Sequence, residues 1–368
     1  MGTKMTTGYV YDPRHQAHSH HRAPESAARL EALIDHLREE GELEPCLPLE
    51  VEPIPWEWVA AAHTGTHVDA VRCAAREGKS RVSFDTYMTP AGAEAARLSA
   101  SGAVCATKAV LEGGVDSAFS IMRPPGHHAL STRAMGYCVF NNAAIAAMYA
   151  LRELGLDRVL ILDVDAHHGN GTEEIFYGSR DVLFVSYHQH PWFPGTGEWH
   201  RNGAEAGLGY NYNIELPQWS GDKAYLQILD ELVVPLAERY KPQLVLVSAG
   251  FDAHWMDHSS VLGLSVQGYY DLIAGLRDLA GRFCEGRVVL LLEGGYNMKS
   301  LKASAAGALR ALRRAPALAD PLGPCPDEPV ASVAGVLAYL RGFMELMAPV
   351  DGLMYYDQPI QVPYEIKP

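Results

Sequence analysis

The stretch that most constrains this chain is residues 159–172, Val-Leu-Ile-Leu-Asp-Val-Asp-Ala-His-His-Gly-Asn-Gly-Thr. Its first four residues are apolar without interruption, which suits a strand buried on both faces of a parallel sheet. Carboxylates and imidazoles follow at once. Strand alternation carried past residue 162 puts Asp163, Asp165 and His167 on one side. Two carboxylates and an imidazole at the C-terminal end of a buried strand fit a metal-ligand set, at the place where open α/β sheets bind ligands. Helix caps or surface-loop residues are the plain alternative, and residues emerging straight from a buried run suit neither.

The same theme recurs along the chain. Apolar runs at 118–122, 182–187, 244–248 and 288–292 read as further buried strands. Helical patterns cover 93–111, 143–154, 225–240, 266–283 and 301–314, and 25–41 reads as a helix behind Pro24 that stops at Gly41. Strands separated by helices give βαβ crossovers, hence an α/β fold whose mainly parallel sheet is covered on both faces. No linker interrupts 8–314, so the 368 residues read as one domain. Beyond it come a Pro-rich segment (315–330), an amphipathic segment (331–347) and a Pro- and Tyr-rich tail (348–368), a packed arm or an oligomer contact.

Composition narrows the function classes. Apolar residues at 48% and charged residues at 20% give a globular protein with ample core. A formal charge of −14 lacks the basic footprint of a nucleic-acid binder and is compatible with steering cationic substrates. The six cysteines form no C-x-x-C pair, which suits a reducing compartment. No apolar run has the length of a membrane span, and the N-terminus lacks a signal peptide's apolar core. Met1-Gly2 with Thr6 matches a myristoylation pattern too short to carry weight. The expectation is a cytoplasmic protein without nucleic-acid or membrane partners.

Each of the five strands leads into catalytic residue types: Arg123-Pro-Pro-Gly-His127-His128, then Asp163 to Asn170, then His188 to Gly197, then Gly250-Phe-Asp252-Ala-His254, then Glu293-Gly-Gly-Tyr296. On one rim of a parallel sheet these junctions describe a site assembled from separate segments. Asp165, His167 and Asp252 supply three ligands with an open position, the pattern of catalytic zinc. Two prolines and a glycine make a stiff turn for His127 and His128, one able to accept a proton from water and the other to donate to a leaving amine. Asp163 and Asn170 are candidates to orient the rings. Tyr296, behind two glycines, is a candidate oxyanion donor. Tyr137 and Phe193 suit either channel walls or ordinary core positions. His188 and His190 are expected to make structural hydrogen bonds, and His15, His18, His20 and His21 to lie in a solvated loop rather than bind metal. Gly169-Asn-Gly171 has Glu174 where a dinucleotide fingerprint needs its third glycine, and no P-loop pattern occurs.

With these motifs in hand, the chain resembles the zinc-dependent histone deacetylase family, in its bacterial class II-like branch of deacetylase-like and acetylpolyamine amidohydrolases. The resemblance runs from about 8 to about 314. It rests on Pro124-Pro-Gly-His-His128, Gly136-Tyr-Cys-Val-Phe-Asn-Asn142, Asp163-Val-Asp-Ala-His-His-Gly-Asn170, Phe193-Pro-Gly-Thr-Gly197, Ser248-Ala-Gly-Phe-Asp252 and Glu293-Gly-Gly-Tyr-Asn297. It implies the arginase/deacetylase fold, with a single eight-stranded sheet flanked by helices. It carries zinc onto Asp165, His167 and Asp252, faces His127 with Asp163 and His128 with Asn170, and makes Tyr296 the group that polarises the acetyl carbonyl. Asp85 matches a rim carboxylate that contacts the substrate backbone, and Gly136, Tyr137 and Phe193 fall among substrate-binding positions. Structural potassium is implied near Asp163, Asp165, His167, Ser186 and Tyr187, largely on backbone carbonyls, with a second site at Phe176, Ser179 and Val182. Dimers and tetramers occur among relatives.

Some relatives have Asp in place of Asn170; a neutral amide should stabilise protonated His128 less and lower its pKa. No glutamate follows Asp252 where one polyamine-selective branch carries its gatekeeper. The expected reaction is zinc-dependent hydrolysis of an acetylated amine, such as acetyl-lysine, an acetylpolyamine or a related small molecule. Two rivals stand beside it. An arginase-like binuclear manganese hydrolase shares Asp165-Ala-His167 but wants carboxylates where His168, Asn170 and His254 stand. A silent module that recognises acetylated ligands would not need the full set of proton-transfer residues.

Overall fold

The computed structural model describes residues 6–326 and 333–347. Eight strands form one sheet: β1 (Thr7–Val10), β2 (Leu47–Leu49), β3 (Ser117–Ser120), β4 (Val159–Asp163), β5 (Val182–Gln189), β6 (Asn211–Leu216), β7 (Leu244–Ala249) and β8 (Val288–Leu292). Their order is β2-β1-β3-β8-β7-β4-β5-β6, and every pairing is parallel. The expected fold class therefore holds. All C-terminal strand ends open on one rim.

Period-two alternation explains the two cores. Leu160, Leu162, Val245 and Val247 point into one cluster, with the helices Ala27–Glu39, Val266–Phe283 and Met298–Leu312. Val159, Ile161, Leu244 and Leu246 point into the other, with Gly92–Leu111 and Asn142–Arg152. Both faces are covered, so β4, β7 and β8 contain no polar residue before their last two positions. Truncating such a side chain, as in Ile161→Ala, should cost about 2–5 kcal/mol.

Register positions the rim. Asp163 on β4 pairs with Ser248 on β7, and Ala249 on β7 pairs with Leu292 on β8. Three strands distant in sequence thus end side by side, and their following loops meet.

Several boundaries differ from expectation. The helix expected over 225–240 is Asp222–Ile228, a wide π turn at Leu229–Val233, then Val234–Tyr240. Pro235 has no N–H and its ring crowds the preceding turn, so the helix widens around it. Strands β1, β2 and β6 have no apolar run to mark them, and the helices Trp56–Ala62 and Gly65–Arg76 are short. The amphipathic segment forms the helix Ala334–Leu346, while 348–368 and Met1-Gly2 lie outside the described residues. No helix among the described residues is long and apolar enough to cross a membrane. The solvated-loop reading of the N-terminal histidines is corrected: His15 and His18 are buried, and only His20 and His21 are exposed. Their burial follows from packing around Arg123, whose guanidinium donates to the carbonyls of both.

Candidate active site

The site begins where β4 runs out of apolar residues. Asp163 is fully buried and accepts from His127 Nδ1 at 3.0 Å. His128 Nδ1 donates to Asn170 Oδ1 at 2.8 Å. The amide is oriented by Asn170 Nδ2, which points at the Met135 sulfur. That leaves Nε2 of a neutral His128 as an acceptor. The two rings lie 3.9 Å apart between centroids, one facing a carboxylate and the other an amide.

Their charge states diverge. Desolvation would lower His127, but Asp163, Asp165 and Glu293 outweigh it and push it up to about 10. His128 is held well below the ordinary range by burial first, then by the His127 and His167 rings. The Asn170 hydrogen bond by itself raises His128, and burial with the two neighbouring rings outweighs it.

Asp165, His167 and Asp252 converge with donor atoms within 4.8 Å of one another. His167 Nδ1 lies 3.0 Å from Asp165 Oδ1 and 3.1 Å from Asp252 Oδ2. His167 Nε2 donates to the Ser259 carbonyl at 3.2 Å, so a neutral ring turns the Nδ1 lone pair toward two carboxylates. Asp252 Oδ2 is buried and makes no hydrogen bond. Burial and the neighbouring Asp165 push Asp252 up to about 6. Lone pairs facing lone pairs in a buried space fit a divalent cation.

Backbone approach makes this convergence possible. Gly294 donates to Asp165 Oδ2 at 2.9 Å, and a Cβ on it would stand 2.2 Å from Asp252 Oδ2. Ala166 donates to Asp252 Oδ1 at 2.9 Å. Any side chain at 294 would crowd the Asp165 and Asp252 carboxylates.

The surrounding cavity has a volume of about 790 Å³ and reaches the two histidines and the cation ligands. Tyr296 lines it, and burial raises its phenol well above the ordinary range, so the hydroxyl stays protonated. The Arg29 guanidinium stacks 5.1 Å from its ring, and its backbone N–H donates to Asp257 Oδ2 at 2.6 Å. Tyr137 and Phe193 are both cavity walls; Phe193 stands edge-on to His128 at 5.1 Å. His188 makes structural bonds with Ser186 Oγ and the Gly197 carbonyl, pinning the loop that carries Phe193. Asp85 lies at the cavity and accepts from Gly136 N at 3.0 Å. Gly136 adopts φ +56°, and a Cβ there would stand 2.3 Å from the His128 ring.

Among the positions implied for potassium, Asp163 and Ser186 are paired across β4 and β5, and the Tyr187 ring is fully buried. Phe176 and Ser179 share a turn just ahead of Val182, the first residue of β5.

Three residues were given no role by sequence reasoning, although Glu293 stood in a motif. Glu293 is buried, accepts from Gly126 N at 2.7 Å and His127 N at 3.2 Å, and so holds the histidine turn against the end of β8. Burial, opposed by His127 and aided by Asp163, pushes it up to about 7. Arg29 donates to the carbonyls of Glu293, Gly294 and Gly295. Asp257 takes the amides of Tyr296 and Asn297. The signal for Glu293 was the one that identified Asp163, a carboxylate directly after a buried run; for Arg29 it was an arginine on the apolar face of a helix.

A second triple, His127, Cys138 and Glu293, also brings donor atoms within 4.8 Å. Burial raises the Cys138 thiol well above its ordinary range, and Glu293 is committed to two amides. That set suits a packed network better than a cation.

The family model described as the histone deacetylase domain matches residues 23–312. A probable deacetylase of Archaeoglobus fulgidus is 39% identical over 298 residues, covering 80% of this chain and 82% of its own. A histone deacetylase-like amidohydrolase of Pseudomonas aeruginosa is 37% identical over 293 residues, covering 79% and 75%. The crystal structure of an HDA15 HD domain superposes with a TM-score of 0.84 at 34% identity, covering 93% of this chain and 95% of that one.

Proposed function

The chain belongs to the histone deacetylase family, and on that premise we propose that it is a zinc-dependent deacetylase hydrolysing the amide of an acetylated amine. The observation that carries the reading is the meeting, in one cavity, of two differently paired histidines with the Asp165, His167 and Asp252 set. Bound there, zinc supplies Lewis acidity toward a carbonyl oxygen and toward water.

The chain's own groups divide the remaining work. His128, facing an amide, keeps a free Nε2 lone pair and takes a proton from the attacking water. His127, facing the Asp163 carboxylate, holds a proton for the departing amine. The Tyr296 hydroxyl donates to the oxygen that gains charge during attack. Asp85 and Gly136 bind the substrate backbone at the mouth, while Tyr137 and Phe193 exclude water along its apolar stem. We assign structural potassium to the backbone near Asp163, Asp165, His167, Ser186 and Tyr187, and to that near Phe176, Ser179 and Val182.

Acetate release from acetyl-lysine, acetylpolyamines and acetylated small molecules by zinc-loaded protein tests the reading. Hydrolysis that is lost on chelation, restored by zinc and absent in Asp252→Ala supports it. Binding of acetylated amines without any acetate release would replace it with a silent recognition module.

A further inference from the structure

Glu173 lies on the short helix Asn170–Phe176, three residues past the amide that orients His128, and its side chain is buried. It accepts from Arg201 Nε at 2.8 Å, Asn211 Nδ2 at 3.0 Å and Asn213 Nδ2 at 2.6 Å. His168 Nε2 lies 3.3 Å from the same carboxylate and has no hydrogen-bond partner elsewhere among the described residues. Burial would raise Glu173, but these neighbours outweigh it, so the carboxyl is ionised. None of the five residues lines the catalytic cavity. A buried charge is costly to place, and the chemistry does not use this one.

What the four partners share is the segment 196–201. Asn213 Nδ2 also donates to the Glu198 carbonyl at 3.3 Å, and Asn211 Nδ2 to the Arg201 carbonyl at 2.7 Å. Each amide thus spends one N–H on Glu173 and one on the loop. Arg201 belongs to the segment itself. His168 makes the link nearest Phe193. An ionised carboxylate only accepts, so His168 Nε2 carries a proton, and Nδ1 of the neutral ring accepts from Thr196 Oγ1 at 2.8 Å. Gly197 shows how closely the loop is seated: its φ is +96°, and a Cβ there would stand 2.3 Å from His188 Nε2 and 2.7 Å from His168 Cγ. On the other side of Phe193, Trp192 Nε1 donates to the Ser259 carbonyl at 2.8 Å. Phe193 itself is 42% exposed, and its ring contacts among the described residues are with His128 and His167. A ring that exposed is fixed less by its own packing than by the loop that carries it.

Resting on the deacetylase reading, we propose that Glu173 is a positioning residue for the substrate channel: through His168, Asn211, Asn213 and Arg201 it fixes the 196–201 segment, and with it the Phe193 wall. Glu173 touches no reacting atom. Its loss should therefore weaken substrate binding and leave the chemical step alone.

The test uses zinc-loaded protein and an acetyl-lysine peptide. Thr196→Val removes only the hydroxyl and should raise KM roughly two- to tenfold, the range one hydrogen bond spans, with kcat within about twofold. Thr196→Ser keeps the hydroxyl and should behave like the parent. Glu173→Gln puts an N–H among four donors and should raise KM at least as far as Thr196→Val. Arg201→Met, at a side chain 42% exposed, takes its place if that variant does not fold, and should raise KM in the same direction. In a Phe193→Ala background none of these changes should raise KM further, because the wall they place is gone. Unchanged KM, KM effects that multiply with Phe193→Ala, a serine variant as impaired as the valine one, or a loss confined to kcat would overturn the proposal and leave the deacetylase reading intact. Hydrogen exchange of the 192–201 peptide reads the loop without turnover: it should quicken in Thr196→Val and Glu173→Gln and not in Thr196→Ser. If the parent hydrolyses no acetylated amine, the deacetylase reading fails, and the exchange rates still decide whether Glu173 and His168 hold this loop.

Discussion

Arg123 and Glu25 form one buried charged cluster of this protein; Asp165, His167 and Asp252 form another. In the first, all five guanidinium donors are used: on both Glu25 oxygens, the Tyr87 hydroxyl, and the carbonyls of His15 and His18. In the second, two carboxylates and an imidazole face one another, and Asp252 Oδ2 has no donor. Both clusters border the turn at 123–128: Arg123 begins it, and His127 Nε2 lies 3.9 Å from Asp165 Oδ1. The contrast shows what a completed network does and what an incomplete one is for. The first is closed and fastens the N-terminal segment to the turn. The second is not closed by hydrogen bonds, and its donor set fits the divalent cation proposed above.

The largest expected effect breaks the closed cluster. Arg123→Met leaves Glu25 as an unpaired buried charge and should cost about 3–5 kcal/mol in urea unfolding. A change below 1 kcal/mol would mean that the pair is not what holds this corner together. Changing the open side should do the opposite. Tyr296→Phe should lower kcat by roughly 10²–10³ through loss of an oxyanion donor, with the unfolding midpoint little moved. Near-parental turnover would remove Tyr296 from the chemistry.

Zinc sharpens the comparison. At a hundredfold excess over Kd, zinc should stabilise the protein by about 2.7 kcal/mol. Asp252→Asn should abolish that gain. It should not weaken the metal-free protein, because a carboxylate raised to about 6 in the folded state disfavours folding at neutral pH. If the metal-free variant is markedly less stable than the metal-free parent, the open reading of this cluster is wrong.

The smallest effect concerns pH. His15 and His18 are lowered to about 4, by burial first and by Arg123 against Glu25. The unfolded chain binds protons on both from about pH 6.5 downward while the folded protein does not. Their contribution to stability is therefore complete above pH 6.5 and declines to pH 4. Urea midpoints across that range should fall less steeply in His15→Phe than in the parent, and identical slopes would exclude His15 as a contributor.

Much of the catalytic rim was legible because buried strands advertise themselves. Residues 159–162 and 288–292 are uninterrupted apolar runs, and the polar residues after them had to lie at the sheet's rim. Strand β6 was not legible: Asn211 and Asn213 alternate with apolar residues but are buried, because both donate to Glu173. That contact joins residues about 40 positions apart, beyond the reach of local periodicity. Glu173 itself is held down to about 2: burial would raise it, but His168, Asn213 and Arg201 outweigh that. His15 and His18 misled for the same reason, since histidines in a polar segment look solvated until Arg123 packs against them.

The sequence by itself determined the α/β alternation, the buried central strands and the residue types waiting at their ends, because side-chain period and apolar run length are local properties. Only the tertiary structure decided that β7 lies beside β4, so that Asp252 reaches Asp165 from 87 positions away, and that Arg29 and Asp257 brace Tyr296. Strand order and register depend on how two cores pack against one sheet. That is a cooperative outcome which no single stretch of the chain encodes.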